Sequence, residues 1–147
     1  MGNKLNKATF ENTPIWSLDG KVIKVKVLKV YDGDTFWVAL KLNGKVVRHK
    51  VRLYGIDTPE MKPPLAQKNR DKEIKAAKKA KEFVKDLIDN KIVEMICGGW
   101  DKYGRLLGTI YIYEYGCLPC CYKKFSLTDL LIKNRLGKPY YGGTKKK

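Results

Sequence analysis

The chain has 147 residues, which is enough for one domain with a core of its own. No run of about 18 apolar residues occurs, so no membrane-spanning helix is expected. Lys and Arg number 31 against 15 Asp and Glu, and the formal net charge of +16 favours a polyanionic partner. Nucleic acid is the commonest such partner, and an anionic membrane surface comes next.

Residues 1–19 are polar and aperiodic, which is typical of a flexible N-terminal arm. They lack the apolar stretch of a secretory signal, so we expect an intracellular protein. The domain itself is predicted to cover residues 20–141, and residues 142–147 are expected to form a basic C-terminal tail. We expect the protein to be a monomer.

The first three predicted strands follow one another through tight turns. Alternation of apolar and polar residues from Lys21 onward predicts the first strand, and the aromatic and β-branched residues 36–42 predict the second. Asn43-Gly44 is a strong hairpin signal, after which residues 45–54 return as the third strand. These three strands form a predicted β-meander.

A helix, two strands and a second helix are predicted in the rest of the chain. Residues 70–89 have apolar side chains at helical spacing, with lysines on the opposite face. Residues 91–97 and 105–115 predict the fourth and fifth strands, with a loop between them. Residues 117–124 are expected to form an irregular loop, and Ser126 is expected to cap the second helix.

The order of these elements favours an α+β fold. Three strands, a helix, two strands and a helix fit a five-stranded Greek-key barrel of the OB type with two or three helices. Barrels of this type bind oligonucleotides and phosphate esters on one face.

Two acidic clusters flank the predicted hairpin. An Asp-Gly-Asp-Thr segment at residues 32–35 opens the second strand, and an Asp-Thr-Pro-Glu segment at residues 57–60 follows the third. Because the two strands are hairpin partners, Asp34 and Asp57 are expected to be neighbours. Two adjacent carboxylates favour a bound cation, and Ca²⁺ suits a site of carboxylate, carbonyl and water oxygens. Each segment alone is also typical of an ordinary turn or helix cap.

Two arginines extend this pattern towards phosphodiester chemistry. Arg52 lies shortly before Asp57, and Arg105 follows a Tyr-Gly turn at the start of the fifth strand. The planar guanidinium matches phosphate oxygens, and a metal ion and arginines together neutralise negative charge. Glu60 is placed to activate a water molecule. Each arginine alone is more often a solvated side chain, and the combination is what indicates a site.

Three segments carry a family pattern: VYDGDT at residues 30–35, VRLYGIDTPE at residues 51–60 and DKYGR at residues 101–105. In this order they resemble the signature segments of the staphylococcal nuclease (thermonuclease) family. The resemblance covers about Val22 to Tyr141. The Arg-x4-Asp-Thr-Pro-Glu pattern is highly specific, whereas Asp-Gly-Asp-Thr alone is a weak signal.

The resemblance implies a metal site and a general base. In such nucleases the residues at Asp34 and Asp57, with the backbone carbonyl at Thr58, bind Ca²⁺. The residue at Glu60 acts as the general base on a water molecule. The family cleaves DNA and RNA with little sequence preference and leaves 3′-phosphate and 5′-hydroxyl ends.

The resemblance also implies the contacts to the substrate. Arg52 and Arg105 would clamp the scissile phosphate, with Arg105 favouring the transition state. Lys102 and Tyr103 would contact a neighbouring phosphate. The candidates for a place beside the nucleoside are Tyr140 and Tyr141.

The alternative function is that of a non-catalytic OB-fold module that binds nucleic acid, as in degenerate repeats that have lost the acidic and arginine residues. This chain keeps the acidic and arginine residues.

The chain departs from the family pattern after the second predicted helix, where Arg-Leu-Gly at residues 135–137 replaces the usual Gly-Leu-Ala.

The cysteines suggest a separate hypothesis. Cys117 and Cys120 have the spacing of half a zinc site, with Cys121 and His49 as further candidate ligands. One CxxC pair without a second is a weak signal. Free thiols and a disulfide are the alternatives, and His49 is otherwise a polar position on a strand.

Overall fold

The computed structural model describes residues 3–116 and 121–142. It contains two α-helices, α1 (Arg70–Ile88) and α2 (Leu127–Lys133), and a short 3-10 helix, Lys4–Lys7. The strands are β1 (Val22–Val30), β2 (Thr35–Leu42), β3 (Lys45–Leu53), β4 (Ile56–Asp57), β5 (Ile92–Trp100), β6 (Leu106–Tyr115), β7 (Tyr122–Ser126) and β8 (Lys138–Pro139).

Five strands close into a mixed barrel. The order β3-β2-β1-β5-β6 is antiparallel throughout, and β3 then pairs with β6 in parallel to close the barrel. The closing contact is tight at Gly108, where an added Cβ would lie 2.7 Å from the Met95 sulfur and 3.2 Å from a Val51 methyl carbon. With its two helices, this architecture confirms the predicted α+β barrel of the OB type.

The core fills the barrel and continues under α1. Inward-facing residues such as Phe36, Val38 and Ile110 are fully buried, as the alternation along their strands predicts. The helix adds one apolar face to this core, formed by Ala77, Ala80, Val84 and Ile88.

The predicted hairpin between β2 and β3 is confirmed. Asn43 and Gly44 both have positive φ, at 48° and 79°, which is the conformation that a two-residue turn of this twist requires. The hairpin registers Thr35 opposite Arg52 and Trp37 opposite Lys50. Ser126 caps α2, as predicted, by accepting a hydrogen bond from the Asp129 amide at 3.3 Å.

The structure corrects the prediction of an irregular loop at residues 117–124. Residues 122–126 form β7, which pairs with β6 at the sheet edge. The strand has no apolar alternation because it is an edge strand, and polar contacts hold it instead: Lys124 Nζ lies 3.0 Å from Glu94 Oε1. The fourth strand was predicted to end at Cys97, but β5 continues through a bulge to Trp100.

Two further features were not predicted. β4 and β8 pair as a separate two-stranded ribbon, with Ile56 opposite Pro139 and Asp57 opposite Lys138. Within the predicted arm, Lys4–Lys7 form a turn of 3-10 helix, and Leu18 is 3% exposed and packs in the core.

The division into arm, domain and tail stays a prediction. Among the described residues, no helix is both long and apolar enough to cross a membrane.

Candidate active site

One arginine bridges the two predicted metal-binding aspartates. Arg52 Nη1 lies 3.2 Å from Asp34 Oδ2, and Arg52 Nη2 lies 3.3 Å from Asp57 Oδ1. The same guanidinium donates hydrogen bonds to the backbone carbonyls of Leu53 and Ile56 at 3.1 and 2.8 Å. The predicted proximity of Asp34 and Asp57 is therefore present, with Arg52 between them.

The hairpin register and a close approach of loops create this arrangement. The Leu53 amide donates to the Asp34 carbonyl at 2.7 Å, which ties the end of β3 to the start of β2. The Thr58 amide donates to Asp34 Oδ2 at 3.0 Å. Gly33 allows this approach, because a Cβ there would lie 2.9 Å from Ala80 and 3.0 Å from Thr58.

Arg105 joins the same network from the β5–β6 turn. Its Nε lies 2.5 Å from Asp101 Oδ2, and its Nη1 donates to Thr35 Oγ1 at 3.3 Å. Thr35 Oγ1 in turn donates to Asp34 Oδ1 at 3.0 Å. Both arginines are thus connected to Asp34, one directly and one through a threonine hydroxyl.

Asp101 holds the turn that presents Arg105. Its Oδ1 accepts hydrogen bonds from the amides of Tyr103 and Arg105, each at 2.9 Å. Burial raises the pKa of Asp101, but these amides and the Arg105 guanidinium outweigh burial and hold the pKa below its ordinary value. Sequence reasoning assigned no role to Asp101, although its place four residues before Arg105 was visible.

Glu60 lies at the exposed rim of the same cleft. Its backbone amide donates to Glu73 Oε1 at 3.0 Å, which fastens the loop after β4 to the first turn of α1. Lys102 and Tyr103 line the same cleft, where Lys102 Nζ lies 5.0 Å from the centre of the Tyr103 ring and Tyr103 is 71% exposed. The predicted base and the two predicted phosphate contacts therefore share one cleft with Arg105.

The β4–β8 ribbon brings the two late tyrosines to this cleft. The Tyr140 amide donates to the Gly55 carbonyl at 3.1 Å, and the Tyr141 ring lies 5.8 Å from the Tyr54 ring. Both late tyrosines line the cleft. Gly55 has a φ of 81° and lies under Tyr141, where a Cβ would be 3.2 Å from the ring.

Asp32 is a third carboxylate of the cleft that sequence reasoning left without a role. Burial and the neighbouring Asp34 raise the pKa of Asp32 to about 7. The Asp34 amide also donates to Asp32 Oδ1 at 3.2 Å. The Asp-x-Asp spacing was the signal that could have identified it.

The donor set of this corner fits a hard cation. Asp34 and Asp57 supply carboxylate oxygens, and Thr58 Oγ1 is buried without a hydrogen-bond partner within the described residues. No group of three His, Cys, Asp or Glu side chains is close enough to hold a metal in that part of the chain. A cation here therefore needs hydroxyl, carbonyl or water oxygens beside the two carboxylates.

The zinc hypothesis falls partly outside the described residues, because Cys117 and Cys120 are among those left undescribed. Cys121 is exposed. His49 Nε2 lies 3.1 Å from the Gly104 carbonyl, and its ring packs edge-on against Trp100. His49 therefore contacts the turn that carries Arg105.

Comparison with known proteins agrees with this geometry. Residues 50–145 match the model of the staphylococcal nuclease homologue family, which is more than half of the chain. The chain belongs to the staphylococcal nuclease homologue family. The matched segment includes Arg52, the residues after it to Glu60, and Arg105. The Asp-Gly-Asp-Thr segment at residues 32–35 lies before the matched range. Its Asp34 contacts Arg52 and Thr58, which lie within that range.

Several curated proteins resemble this staphylococcal nuclease homologue. An uncharacterized protein of Methanocaldococcus jannaschii is 36% identical over 104 residues, covering 59% of this chain and 47% of that protein. A protein of Haemophilus influenzae named an uncharacterized endonuclease is 34% identical over 86 residues, covering 58% and 40%. An uncharacterized protein of Bacillus anthracis is 35% identical over 94 residues, covering 62% and 40%. The chain thus spans less than half the length of these relatives.

Proposed function

We propose that the chain is a calcium-dependent nuclease that hydrolyses phosphodiester bonds of DNA, RNA or both with little sequence preference, leaving 3′-phosphate and 5′-hydroxyl ends. One observation carries this proposal. Two arginines and three aspartates, joined through Thr35, form a single hydrogen-bonded network in one cleft, with Glu60 at its exposed rim. Family membership supports the same chemistry.

In this proposal the arginines receive the scissile phosphate. Arg52 is held by four acceptors, and Arg105 is held by Asp101 and Thr35, so both guanidinium planes are fixed before substrate binds. Donors that are oriented in advance stabilise charge that develops in the transition state without reorganising. The arginines therefore lower the barrier for attack on phosphorus.

Glu60 takes the proton from the attacking water. The water oxygen forms a bond to phosphorus, the bond from phosphorus to the 5′ oxygen breaks, and the 5′ oxygen gains a proton from solvent. Glu60 is exposed, so it can reach a water in the open cleft and return the proton to solvent. Its loop is fixed by the bond between the Glu60 amide and Glu73.

Asp34, Asp57 and Thr58 would hold Ca²⁺, with Asp32 at the edge of the same corner. When bound, the ion supplies positive charge that neutralises the phosphate oxygens.

Tyr140 and Tyr141 form an aromatic wall beside the cleft. Their position depends on the β4–β8 ribbon, which includes Asp57. A nucleoside packs against such rings without regard to its base, which agrees with weak sequence preference. Lys102 and Tyr103, which line the same cleft, contact the neighbouring phosphate.

The alternative function is a nucleic-acid-binding module without catalysis. Such a module needs basic residues but has no need for an arginine that bridges the buried Asp34 and the partly buried Asp57, because removing charges from water is costly. The test is cleavage of labelled single-stranded DNA and RNA with added Ca²⁺ or with EGTA. We expect cleavage with Ca²⁺, 3′-phosphate ends on the products, and no cleavage in EGTA.

Two variants sharpen this test. Asp57→Asn removes a predicted ligand, and Asp86→Asn makes the same chemical change on the exposed face of α1. Calcium binding, measured by titration calorimetry without substrate, should weaken in Asp57→Asn and stay unchanged in Asp86→Asn. Full activity in EGTA, or equal calcium binding by both variants, would contradict the metal-dependent mechanism.

A further inference from the structure

The outer face of the β-meander is basic and contains no acidic residue. β1, β2 and β3 have no Asp or Glu anywhere in their sequences. The strand register aligns Lys29 with Trp37 and Trp37 with Lys50, and it aligns Lys26 with Ala39 and Ala39 with Arg48. We call five of the outward residues with long side chains the meander face: Lys26, Lys29, Trp37, Arg48 and Lys50.

This face begins inside the cleft and continues beyond it. Trp37 and Lys50 line the cleft together with Arg52, whereas Lys29 and Arg48 lie on the sheet outside it. Arg52 and Arg48 are four residues apart on one strand, which corresponds to about 13 Å along β3. A polyanion bound at Arg52 can therefore contact further cationic side chains along the sheet.

Trp37 is the aromatic centre of this row. Arg48 Cζ lies 5.3 Å and Lys50 Nζ 5.0 Å from the centre of its ring, and Lys50 also lies 5.8 Å from the Tyr31 ring. Trp37 points away from the barrel core, so packing of the core does not require an indole there. Trp37 is half-buried and both cations lie over its ring, so a base that stacks on the indole takes the place of one cation, which is then free to contact the neighbouring phosphate.

We propose that the meander face binds single-stranded nucleic acid that extends from the cleft, with Arg48, Lys29 and Lys50 contacting phosphates and one base stacking on Trp37. The proposal rests on the proposed nuclease function, because it extends the same substrate beyond the scissile phosphate. A single strand is required, since a base in a duplex does not offer its face to the indole.

Binding can be measured separately from cleavage, in EDTA, by fluorescence anisotropy with labelled oligothymidylates. A single OB barrel covers about 4–16 nucleotides, so oligomers of about 4 and about 12 nucleotides separate the cleft from the meander face. We expect the longer oligomer to bind more tightly. It should also quench tryptophan fluorescence, and Trp37→Phe should abolish that quenching while Trp16 and Trp100 remain.

Loss of the stacking ring should weaken binding of the longer oligomer. Stacking on an aromatic side chain corresponds to about a 5- to 150-fold change in affinity per base. We therefore expect Trp37→Ala to lose at least about fivefold in affinity for the longer oligomer and less for the shorter one, and Trp37→Phe to restore part of the loss. Unchanged affinity in Trp37→Ala would overturn the proposal.

The phosphate contacts have a matched control. Lys29→Gln with Arg48→Gln removes two charges from the meander face, and Lys79→Gln with Lys85→Gln removes two from the exposed side of α1. The affinity for a single strand falls with salt, and each phosphate contact adds about 0.7 to the magnitude of the slope of log affinity against log salt concentration. The first pair of substitutions should therefore lower the magnitude of this slope by about 1.4. Equal changes in both pairs would mean that only net charge acts, and would overturn the proposal.

Failure of the nuclease function gives a different result. If wild-type protein does not cleave in Ca²⁺ but shows the binding differences in EDTA, the proposed function is wrong and the meander face stands. If it cleaves but shows none of these differences, the meander face is wrong and the nuclease stands. Tighter binding of a duplex than of the single strand, with no effect of Trp37→Ala, also contradicts stacking.

Discussion

Asp101→Asn tests whether the network around Arg105 orients it for catalysis. The substitution keeps Oδ1 as an acceptor for the two amides but replaces Oδ2, which lies 2.5 Å from Arg105 Nε, with an amide nitrogen. One hydrogen bond between charged groups is lost, which is worth about 1.5–3 kcal/mol. If this energy fixes Arg105 in the transition state, single-turnover cleavage falls about 10- to 150-fold.

The assay is single-turnover cleavage of saturated complex, with affinity measured beside it. Affinity should change little, because the arginine stays in the cleft and only its orientation is lost. Asp86→Asn is the control for the loss of one negative charge at an exposed position. Adding Arg105→Lys to Asp101→Asn should cost much less than Arg105→Lys alone, since both act through one group. Additive losses, or normal turnover in Asp101→Asn, would refute the reasoning.

The same variant has a signature in stability. Because the pKa of Asp101 is lower in the folded chain than its ordinary value of 3.8, the ionised carboxylate stabilises the fold above that value. This stabilisation is lost as the pH falls through the lowered pKa. The difference in unfolding free energy between wild type and Asp101→Asn should therefore be constant near neutral pH and shrink in acid. A difference that stays constant in acid would contradict the role of this charge.

Three further predictions concern single side chains. Glu60→Gln should lower turnover by about 10²–10⁴-fold with binding of DNA largely retained, and near-normal turnover would make Glu60 an ordinary loop residue. Arg105→Lys should lower turnover by about a hundredfold or more with little change in affinity, because a point charge cannot replace the guanidinium fork. Reduced affinity with intact single-turnover cleavage would contradict this role. Arg135→Gly should raise the unfolding free energy by about 1 kcal/mol, because Arg135 has a φ of 57° that glycine adopts without strain. Asn134→Gly, at a φ of −86°, should bring no such gain in chemical denaturation, and equal effects would exclude backbone strain as the cause.

Much of the fold could be predicted because local signals agreed with the tertiary structure. The Asn-Gly turn fixed the register of β2 and β3, and that register set Thr35 opposite Arg52. The proximity of Asp34 and Asp57 followed from the hairpin, since the start of one strand lies beside the end of its partner. The helical period of residues 70–89 was visible because one face of α1 is buried.

The features that escaped prediction depend on contacts between distant parts of the chain. β8 has two residues and includes a proline, so no periodicity reveals that it pairs with β4. β7 is an edge strand with adjacent lysines that lie on opposite faces. It therefore lacks the alternation of apolar and polar residues that predicts a strand. Asp101 acts through hydrogen bonds to its own turn, and the bridging position of Arg52 depends on loops that meet only in the folded chain.

The pairing of β4 with β8 determines when the cleft can form during protein synthesis. A ribosome releases the chain from its N-terminus at about 5–20 residues per second, so the barrel strands emerge before Lys138 and Pro139. Until that ribbon forms, the segment with Asp57 lacks its backbone partner, and Tyr140 and Tyr141 are not in place. The cleft therefore reaches its final shape only after Tyr140 and Tyr141 have been synthesised, later than the strands of the barrel.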